Sequence, residues 1–523
     1  MDSPSSHDTD VLIVGAGPTG LVLGLWLTRF GVRVRIVDKT SEPGTTSRAL
    51  AVQARTLELY DQIGLADAVV ERGRKAIAAN LWVSGKKEGH VVFGDMGRGL
   101  SPFPYAIIFP QDEHERLLIE RLTACGVEVE RRTELVKFED SADRVLAHLK
   151  RPDGAIEACE TSYIAGCDGA HSIVRDALQI GFPGGAYTHL FYVADVQASG
   201  PTMNGELHLA LDTSDFLFAF PLKGEGRARL IGTVGEQAEH QNDLSWNDVS
   251  KGVIDRMRID VESVKWFSTY RVHHRVADHF IKGRAFLLGD AAHIHSPVGG
   301  QGMNTGIGDA VNLAWKLAAV VHGHADSSIL DSYEPERIAF ARRLVATTDR
   351  AFTGVTSRGA LARLVRLHLV PLVIPPLFKL PQVRRFMFLT ISQTKVSYRG
   401  SSLSEGRAGD VHGGDRLPWV KMDGVDADNF KPLASMDWQV HVYGDEAPDL
   451  RTSCNSRKLR LHVFPWGRGM EAAGLARNAA YLVRPDGYVG LADPEAKATV
   501  TTSYLDARKI APREVPAAVA LRE

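Results

Sequence analysis

The sequence predicts an α/β protein in which a parallel sheet is interrupted by a mostly antiparallel sheet and followed by a smaller α/β domain. A strand, a glycine-rich turn, a helix and a second strand open the chain, which is the start of a parallel unit. Short alternating runs replace this pattern in the middle, and a Gly/Ser-rich stretch precedes the last group of strands. The length of 523 residues fits about three domains.

The opening unit consists of three apolar segments. Val11 to Val14 is a continuous apolar run that predicts a buried strand, and Leu21 to Phe30 predicts a buried helix that Gly31 ends. Val32 to Val37 predicts a second buried strand. The order strand, helix, strand is that of a parallel α/β unit.

The turn between the first strand and the helix reads GAGPTG. Gly15 permits a tight turn, Gly17 lets the backbone approach a pyrophosphate, and Gly20 lets the helix pack on the strand. Asp38 ends the second strand, where a carboxylate accepts hydrogen bonds from ribose hydroxyls. The helix N-terminus adds N–H groups and a positive dipole for phosphate. These residues predict a nucleotide site but do not separate FAD from NAD.

Two later motifs extend this site. Asp168 and Gly169 follow the strand-like run SYIAG and lead to Arg175, and Asp290 ends the strand-like run AFLL. A carboxylate at each strand end suits a second polyol. The glycine-rich run GGQGMNTG then opens a helix, and its N–H groups suit a flavin ring that becomes anionic on reduction.

The middle and the end of the chain carry strand patterns. Runs such as LFYVADV, FLFAFPL and RARLIGTV predict an inserted, mostly antiparallel sheet, and WQVHVYG, KLRLHVF and a Pro-Asp-Gly hairpin predict a small C-terminal α/β domain. The predicted boundaries are 1–180 for the first part of the nucleotide domain, 181–271 for the substrate sheet, 272–396 for the second part with a helical segment, 397–419 for a linker and 420–523 for the last domain.

Composition excludes several classes of protein. The chain has 61 Lys+Arg against 63 Asp+Glu, so it lacks the basic excess of a nucleic-acid-binding protein. The four cysteines show no metal-site or disulfide spacing, which predicts no metal and a cytoplasmic location. The polar, acidic N-terminus predicts no signal peptide. The run LVPLVIPPLFKL is too short to cross a bilayer; packed helices are favoured, with a subunit contact or a peripheral membrane contact as alternatives.

The combination of these three motifs resembles the class A flavoprotein aromatic hydroxylases, the para-hydroxybenzoate hydroxylase-like superfamily. The resemblance is strongest to the phenol, hydroxyphenylpropionate and polyketide hydroxylases, and it covers nearly the whole chain. It implies a Rossmann-like FAD-binding domain of the glutathione reductase type, an inserted substrate sheet and a C-terminal thioredoxin-like domain. Because Cys454 is the one cysteine of that last domain, we expect it to be structural rather than a dithiol exchanger.

The resemblance also implies the reaction. FAD would be reduced by NAD(P)H, which visits transiently since the chain has no second GxGxxG, and a flavin C4a-hydroperoxide would then hydroxylate a small aromatic substrate with O2. Asp168 and Arg175 match a motif linked to both FAD and the pyridine nucleotide, and the family more often has Glu at position 38. The implied FAD-binding residues are Gly15, Gly17, Gly20, Asp38, Arg48, Gln111, Asp168, Arg175, Asp290, Pro297, Gly302, Met303 and Asn304.

Five residues of the inserted sheet are candidates for substrate contact. Phe216, Phe218 and Phe220 alternate along one strand and so share a face that suits an aromatic ring, although an ordinary sheet core explains them as well. Tyr192 and His208, predicted on neighbouring strands, suit a role in orienting or deprotonating a phenol, or a structural one. The run FLFAFPLK has no Arg to anchor a carboxylate, which favours a phenolic or polycyclic substrate.

Several alternatives stay open at this point. The protein supplies position and a dry cavity rather than a nucleophile, so no catalytic residue is assigned. His293 falls within the flavin motif and is interpreted as structural. A FAD-dependent dehydrogenase or oxidase, a non-catalytic flavin-binding partner protein and a homodimer are all compatible with the sequence.

Overall fold

The computed structural model of the chain describes residues 9–44, 49–93, 96–141, 143–211, 216–234, 244–296, 300–356, 365–422 and 427–512. Within these ranges the strands form two eight-stranded sheets, a six-stranded sheet and a small three-stranded one. The first segment contains β1 Thr9–Val14, α1 Pro18–Arg29, β2 Val34–Asp38, β3 Ala51–Val52, α2 Ala54–Gln62, α3 Ala66–Arg72, β4 Arg74–Lys75, β5 Ala78–Val83, β6 Lys86–Val92, β7 Ile107–Ile108, α4 Gln111–Ala124, β8 Val129–Arg131, β9 Glu134–Asp140, β10 Val145–Lys150, β11 Ile156–Gly166 and α5 Ile173–Ala177.

The middle segment supplies the long strands, and helices follow it. It contains β12 Gly184–Ser199, β13 Leu207–Leu211, β14 Phe216–Pro221, β15 Arg227–Thr233, α6 Gly252–Arg256, β16 Asp260–Val276, β17 Ile281–Lys282, β18 Ala285–Leu287, β19 His293–Ile294, α7 Gly302–Val321, α8 Tyr333–Thr356, α9 Val370–Leu377 and α10 Pro381–Ile391. The last segment contains β20 Glu405–Ala408, β21 Val411–His412, β22 Gln439–Tyr443, α11 Leu450–Ser456, β23 Arg460–Phe464, α12 Arg468–Ala472, β24 Ala480–Val483, β25 Val489–Asp493 and α13 Ala498–Ala507.

The first sheet has the order β17-β18-β11-β1-β2-β8, and β10 and β9 continue it beside the first half of β11. The five strands from β18 to β8 run parallel to their neighbours. Leu12 and Ile13 are fully buried because helices cover the central strands, and α1 packs against both α4 and α7. The predicted opening unit is therefore present, and the α/β fold class is confirmed.

The second sheet is built around the antiparallel pair of β12 and β16, in the order β19-β16-β12-β15-β14-β13-β5-β6. The sheet includes strands from outside the predicted range 181–271, since β5 and β6 come from residues within the predicted range 1–180. The strand β5 pairs in parallel with β13, a contact that joins residues 78–83 to 207–211. The neighbouring strand β6 is polar and shows little alternation of apolar and polar residues. The sequence therefore did not reveal that the β5–β6 hairpin joins the second sheet.

The third sheet has the order β21-β20-β25-β24-β22-β23. Part of the predicted linker 397–419 therefore forms strands. Gly406 shows why a glycine-rich stretch can do so: it lies in β20 at φ +75°, and a Cβ there would overlap the carbonyl oxygen of Ala492 in β25. Gly406 therefore permits a close contact between two strands, whereas the glycine-rich composition predicted a flexible linker.

The C-terminal sheet packs directly on the helices of the first domain. The rings of Trp315 in α7 and Trp438 before β22 meet edge to face at 5.7 Å. Arg484, after β24, is fully buried and donates to both carboxylate oxygens of Glu336 in α8, at 2.8 and 3.1 Å. No helix within the described ranges is both long and apolar enough to cross a membrane.

Candidate cofactor and substrate site

Four parallel strands bring the three sequence motifs to one edge of the first sheet. Gly15 follows β1, Asp38 ends β2, Asp168 follows β11 and Gly289 follows β18. Because these strands are parallel, their carboxyl ends meet at the same edge. β2 lies on one side of β1 and β11 on the other, so this edge contains the point where the strand order reverses, which is where such sheets bind ligands.

The GAGPTG turn has one open glycine and two crowded ones. Gly15 has φ +104°, and a Cβ there would overlap the carbonyl of Cys167. A Cβ on Gly20 would overlap the carbonyl oxygen of Gly15. Gly17, the residue that caps α1, has nothing within 4 Å of an added Cβ. The crowded glycines pull the turn against the sheet, and the open one leaves room at the helix N-terminus for a group outside the protein.

Asp38 ties this turn to the end of β2. Its Oδ2 accepts the N–H of Ala16 at 2.7 Å, and its Oδ1 accepts both the N–H and the hydroxyl of Thr40, at 2.8 and 2.6 Å. The carboxylate is thus held in one orientation by the loops on either side of it. A carboxylate has about four lone-pair sites, so Asp38 keeps capacity for a further donor.

Thr19, which sequence reasoning did not single out, is where the first and third motifs touch. An added Cβ on Gly306 would overlap the Thr19 hydroxyl, and one on Gly289 would lie 2.6 Å from it. The same Cβ on Gly306 would be 3.1 Å from the Cα of Gly289. The start of α1, the turn after β18 and the first part of α7 are therefore in direct contact.

Arg175 links the second motif to the third. Its guanidinium donates to the carbonyls of Ala291 at 3.2 Å and Ala170 at 3.0 Å, and it lies over the ring of Phe182 at 4.0 Å. Asp168 accepts the N–H of Val174 at 3.2 Å through Oδ2, while its buried Oδ1 has no protein partner within the described ranges. Burial raises the pKa of this carboxyl.

Asp309, in α7, joins three parts of the site and was not predicted. Its Oδ2 accepts the N–H of Gly289 at 3.0 Å and contacts His293 Nε2 at 2.7 Å, while its Oδ1 accepts from Arg337 Nε at 2.6 Å. Burial alone would raise the pKa of Asp309, but Arg337 and His293 hold it below the ordinary value. His293 is buried and held by this contact with Asp309. An acid within the apolar run of α7 was the available sequence signal.

Asn304 braces the glycine-rich loop from the inside. Its Oδ1 accepts from the N–H of Gln53 at 2.9 Å and the hydroxyl of Thr56 at 2.7 Å, and its amide donates to Ala51 and Gly300 carbonyls at 2.8 and 2.9 Å. All of its ordinary hydrogen-bonding capacity is used within the protein. The side chain of Asn304 therefore has no hydrogen bond left for a cofactor, and it positions the loop instead.

The remaining predicted cofactor residues line the same edge or fall outside the structure. Gln111 begins α4, accepts from the N–H of Ala49 at 3.2 Å and donates to Glu115 at 2.8 Å. Asp290 is exposed in the turn after β18, and Gly302 and Met303 begin α7. Arg48 and Pro297 lie outside the described residues.

His295 lies beside Gly302, whose added Cβ would be 3.6 Å from its Nε2. Its Nδ1 donates to the Ser296 carbonyl at 2.8 Å, which leaves Nε2 as an acceptor. Nε2 is buried without a partner among the described residues, and so is the Ser296 hydroxyl. Burial lowers the pKa of His295 to about 4, so the ring is neutral at pH 7.

The three phenylalanines of β14 share one face of the second sheet. The rings of Phe216 and Phe218 meet edge to face at 5.6 Å, and those of Phe218 and Phe220 stack at 5.8 Å. Phe220 packs against Leu50 and Ile108, which belong to the first domain. This aromatic face, formed by Phe216, Phe218 and Phe220, therefore has its Phe220 end beside the segment 49–51, which Asn304 of the cofactor edge contacts through the Ala51 carbonyl.

Tyr192 and His208, the other two candidates for substrate contact, do not lie on the aromatic face. Strand register places His208 opposite Ala219 and Tyr192 opposite Gly232, and Gly232 is opposite Leu217. These positions alternate with the phenylalanines and so point to the other side of the sheet. Tyr192 packs there against Trp246 and Phe267.

His208 is fully engaged on that other side. Its Nδ1 accepts from the indole of Trp82 at 3.0 Å, and its Nε2 contacts the Asn204 amide oxygen at 2.9 Å. Burial lowers the pKa of His208 to about 4. The structure therefore gives His208 two hydrogen-bond partners within the protein, on the side of the sheet away from the aromatic face.

The buried guanidinium on the inner side of β15 is already paired. Arg229 is opposite Phe220 in the register and is fully buried. It donates to both carboxylate oxygens of Asp195, at 2.6 and 2.7 Å. This pairing leaves Arg229 without a free charge for a substrate carboxylate.

The residues at this edge fit FAD. Gly17 leaves space at the N-terminus of a twelve-residue helix, where a pyrophosphate would be stabilised. Among the described residues, the buried Asp168 Oδ1 and His295 Nε2 have no hydrogen-bond partner, so the site holds polar atoms that a ligand can satisfy. A long ligand with a polyol and a polar ring system supplies such partners along the whole edge.

Comparison with known proteins agrees with this geometry. Residues 8–348 match the FAD binding domain family. The 6-methylpretetramide 4-monooxygenase of Streptomyces rimosus is 34% identical over 541 aligned positions, covering 98% of this chain and 95% of that protein. The rifampicin monooxygenase of Rhodococcus hoagii is 32% identical, covering 75% and 79%. The structure of OxyS anhydrotetracycline hydroxylase from Streptomyces rimosus superposes with a TM-score of 0.76 at 28% identity, covering 96% and 99%.

These matches confirm the predicted resemblance, the cofactor FAD and the assignment as an enzyme. They extend over nearly the whole length of both the monooxygenase and the hydroxylase structure. The chain belongs to the FAD binding domain family and is a flavoprotein monooxygenase of the class A aromatic hydroxylase type.

Proposed function

We propose that this monooxygenase hydroxylates a phenolic or polycyclic aromatic substrate with NAD(P)H and O2. The observation that carries the proposal is the aromatic face of Phe216, Phe218 and Phe220, whose Phe220 end lies beside the segment that Asn304 of the cofactor edge contacts. Aromatic rings bind such a face by offset and edge contacts. The names of the relatives, which refer to pretetramide, rifampicin and anhydrotetracycline, support a large polycyclic substrate.

The residues that hold FAD would be those of the three motifs. Gly17 and the start of α1 would receive the pyrophosphate, Asp38 the ribose, and Asp290 the ribityl chain, while Asp168 would lie near both FAD and the pyridine nucleotide. The first turn of α7, from Gly302 to Asn304, would offer backbone N–H groups to the ring. When bound, FAD accepts reducing equivalents from NAD(P)H and activates O2.

The protein's own contribution is to position the substrate and exclude water. Phe218 lies between the other two rings of the aromatic face and would contact the substrate ring directly. His295 is neutral, and its Nε2 is an acceptor without a partner among the described residues, so it would take a hydrogen bond from a bound group without adding charge. Because Arg229 is paired with Asp195, the site would not require a substrate carboxylate.

The C-terminal domain would be thioredoxin-like and structural. Its elements follow the order β22, α11, β23, α12, β24, β25, α13, with β22 and β23 parallel and β24 and β25 antiparallel. Cys454 is buried in α11, and burial raises the pKa of its thiol to about 11, which disfavours the reactive thiolate. The buried contact of Arg484 with Glu336 gives the domain a stabilising role instead.

The domain division remains part of this proposal. The FAD-binding domain would be discontinuous, because most strands of the second sheet are inserted between β11 and β18. β5 and β6 come from the first segment of the chain but would belong to the inserted sheet. The cofactor edge and the aromatic face would then enclose the substrate between two domains.

The proposal is tested with the purified holoenzyme. Flavin absorbance is recorded first, and phenols and polycyclic phenols are then screened for stimulated NAD(P)H oxidation and for product mass. A product heavier by one oxygen is expected. Stimulated oxidation that yields hydrogen peroxide with every substrate would favour an oxidase, and a two-hydrogen loss would favour a dehydrogenase.

A further inference from the structure

An exposed apolar strip follows α8. Six of the eleven large apolar side chains that are exposed among the described residues fall between residues 369 and 386. Leu372 is 73% exposed and Phe386 55% exposed, values far from those of core residues. We call this surface the apolar strip; its members are Leu369, Leu372, Val373, Leu377, Leu380 and Phe386.

The sequence segment that carries the strip is basic. Residues 350–404 contain nine Lys or Arg and no Asp or Glu, in a chain whose formal net charge is −2. Lys379, Arg385 and Lys395 are exposed within or beside the strip. Arg399 is paired with Asp415 at 2.7 Å, so the positive charge beside the strip comes from Lys379, Arg385 and Lys395.

This combination selects among occupants of the surface. A second copy of the chain in a two-fold dimer would bring the same cations together, since such a contact uses one patch twice. An anionic bilayer offers both an apolar layer for the leucines and phosphate groups for the lysines and arginines. The long basic side chains next to apolar ones suit the boundary between these layers.

The strip lies over the substrate side of the molecule. Leu367 and Val370, at the start of this segment, pack against the cluster that contains Phe191 and Phe216. The helix α9 also contacts β6 of the second sheet. The segment therefore has one side towards the aromatic face and the apolar strip on its outside.

We propose that the apolar strip binds the surface of anionic lipid membranes. The protein attaches peripherally, with α9 and α10 at the level of the headgroups and the cofactor edge outside the bilayer. Polycyclic aromatic compounds partition into bilayers, so attachment at this point shortens the path of such a substrate to the aromatic face. Membrane binding does not depend on the identity of that substrate, whereas the delivery rests on the proposed function.

Vesicle co-flotation of the full-length, FAD-loaded protein tests the proposal. Vesicles of phosphatidylcholine with phosphatidylglycerol are compared with vesicles of phosphatidylcholine alone, at about 0.05 M and about 0.5 M NaCl. We expect binding to the anionic vesicles that weakens at high salt. Leu372→Asp removes an inserted side chain and adds a negative charge, so binding falls by about a hundred-fold. Lys379→Glu with Arg385→Glu causes a similar loss.

The matched control is Ile156→Asp, because Ile156 is 56% exposed in β11 and outside the strip. It keeps full vesicle binding, and all variants keep the thermal stability and flavin spectrum of the wild type. Failure of the wild type to bind anionic vesicles at low salt overturns the proposal. So does a wild-type dimer in light scattering that Leu372→Asp converts to monomer, because the strip would then be a subunit interface.

Discussion

Replacing Asp309 with Asn tests whether this buried carboxylate positions the cofactor edge. The substitution keeps the shape of the side chain but removes the negative charge that faces Arg337. It also replaces one of the two carboxylate oxygens that form hydrogen bonds with Gly289, His293 and Arg337. Arg337 is 3% exposed, so its guanidinium would stay buried without its counter-charge. Breaking one partner of such a pair costs about 3–5 kcal/mol of unfolding free energy.

The effect on FAD follows from the turn after β18. Gly289 donates to Asp309, and the next residue, Asp290, would contact the cofactor. Loss of that anchoring hydrogen bond costs about 1–3 kcal/mol. The dissociation constant of FAD, measured by fluorescence titration of the apoprotein, therefore rises by about ten- to a hundred-fold.

Glu336→Gln is the matched control. Glu336 is as buried as Asp309 and faces Lys316 and Arg484, but it has no contact with the Gly289 turn among the described residues. We expect both variants to lose comparable stability and only Asp309→Asn to weaken FAD binding. Equal FAD loss in both variants, or unchanged FAD affinity in Asp309→Asn, would refute the positioning role. Arg337→Lys, which keeps the charge, serves if Asp309→Asn does not fold.

Three further predictions follow from the site and the core. Gly306→Ala forces a Cβ onto the Thr19 hydroxyl, so thermal unfolding shows a loss of about 1–3 kcal/mol together with FAD release; unchanged FAD retention would contradict the packing of the two motifs. Phe218→Ala weakens binding of the aromatic substrate by about ten-fold or more in equilibrium titrations, whereas Tyr192→Phe changes it little, because Tyr192 lies on the opposite face. Burial lowers the pKa of His114 to about 3, so below pH 6.5 the unfolded chain binds a proton that the folded protein does not. The unfolding free energy then falls by about 1.4 kcal/mol per pH unit for this residue as the pH drops, and denaturant titrations of His114→Gln show a shallower slope between pH 6.5 and pH 4.

Local sequence was sufficient for the cofactor edge. The order of strand, glycine turn, helix and acid is written within 30 residues, so Gly15, Gly17, Gly20 and Asp38 appear where predicted. The later motifs follow the ends of strands, and parallel strands bring such ends together. The geometry of these positions depends on neighbours in sequence.

Contacts between segments that are distant in the sequence could not be predicted from it. Alternation shows that Phe216, Phe218 and Phe220 share a face, but the face of Tyr192 depends on the register of β12 against β15 and of β15 against β14. Similarly, Asp309 was visible as an acid in an apolar helix, yet its partners His293 and Arg337 lie 16 and 28 residues away. Gly406 is a third case. The sequence alone does not distinguish a glycine that permits close strand contact from one in a flexible linker.

Incorporation of labelled oxygen is the most direct test of the account. The FAD-loaded protein is incubated with NAD(P)H, a stimulating polycyclic phenol and isotopically labelled O2, and the product is analysed by mass spectrometry. We expect a hydroxylated product that carries one labelled oxygen atom, while the second labelled atom is released as water. A product that is unlabelled, or whose added oxygen comes from labelled water, would contradict the assignment of this protein as an aromatic hydroxylase.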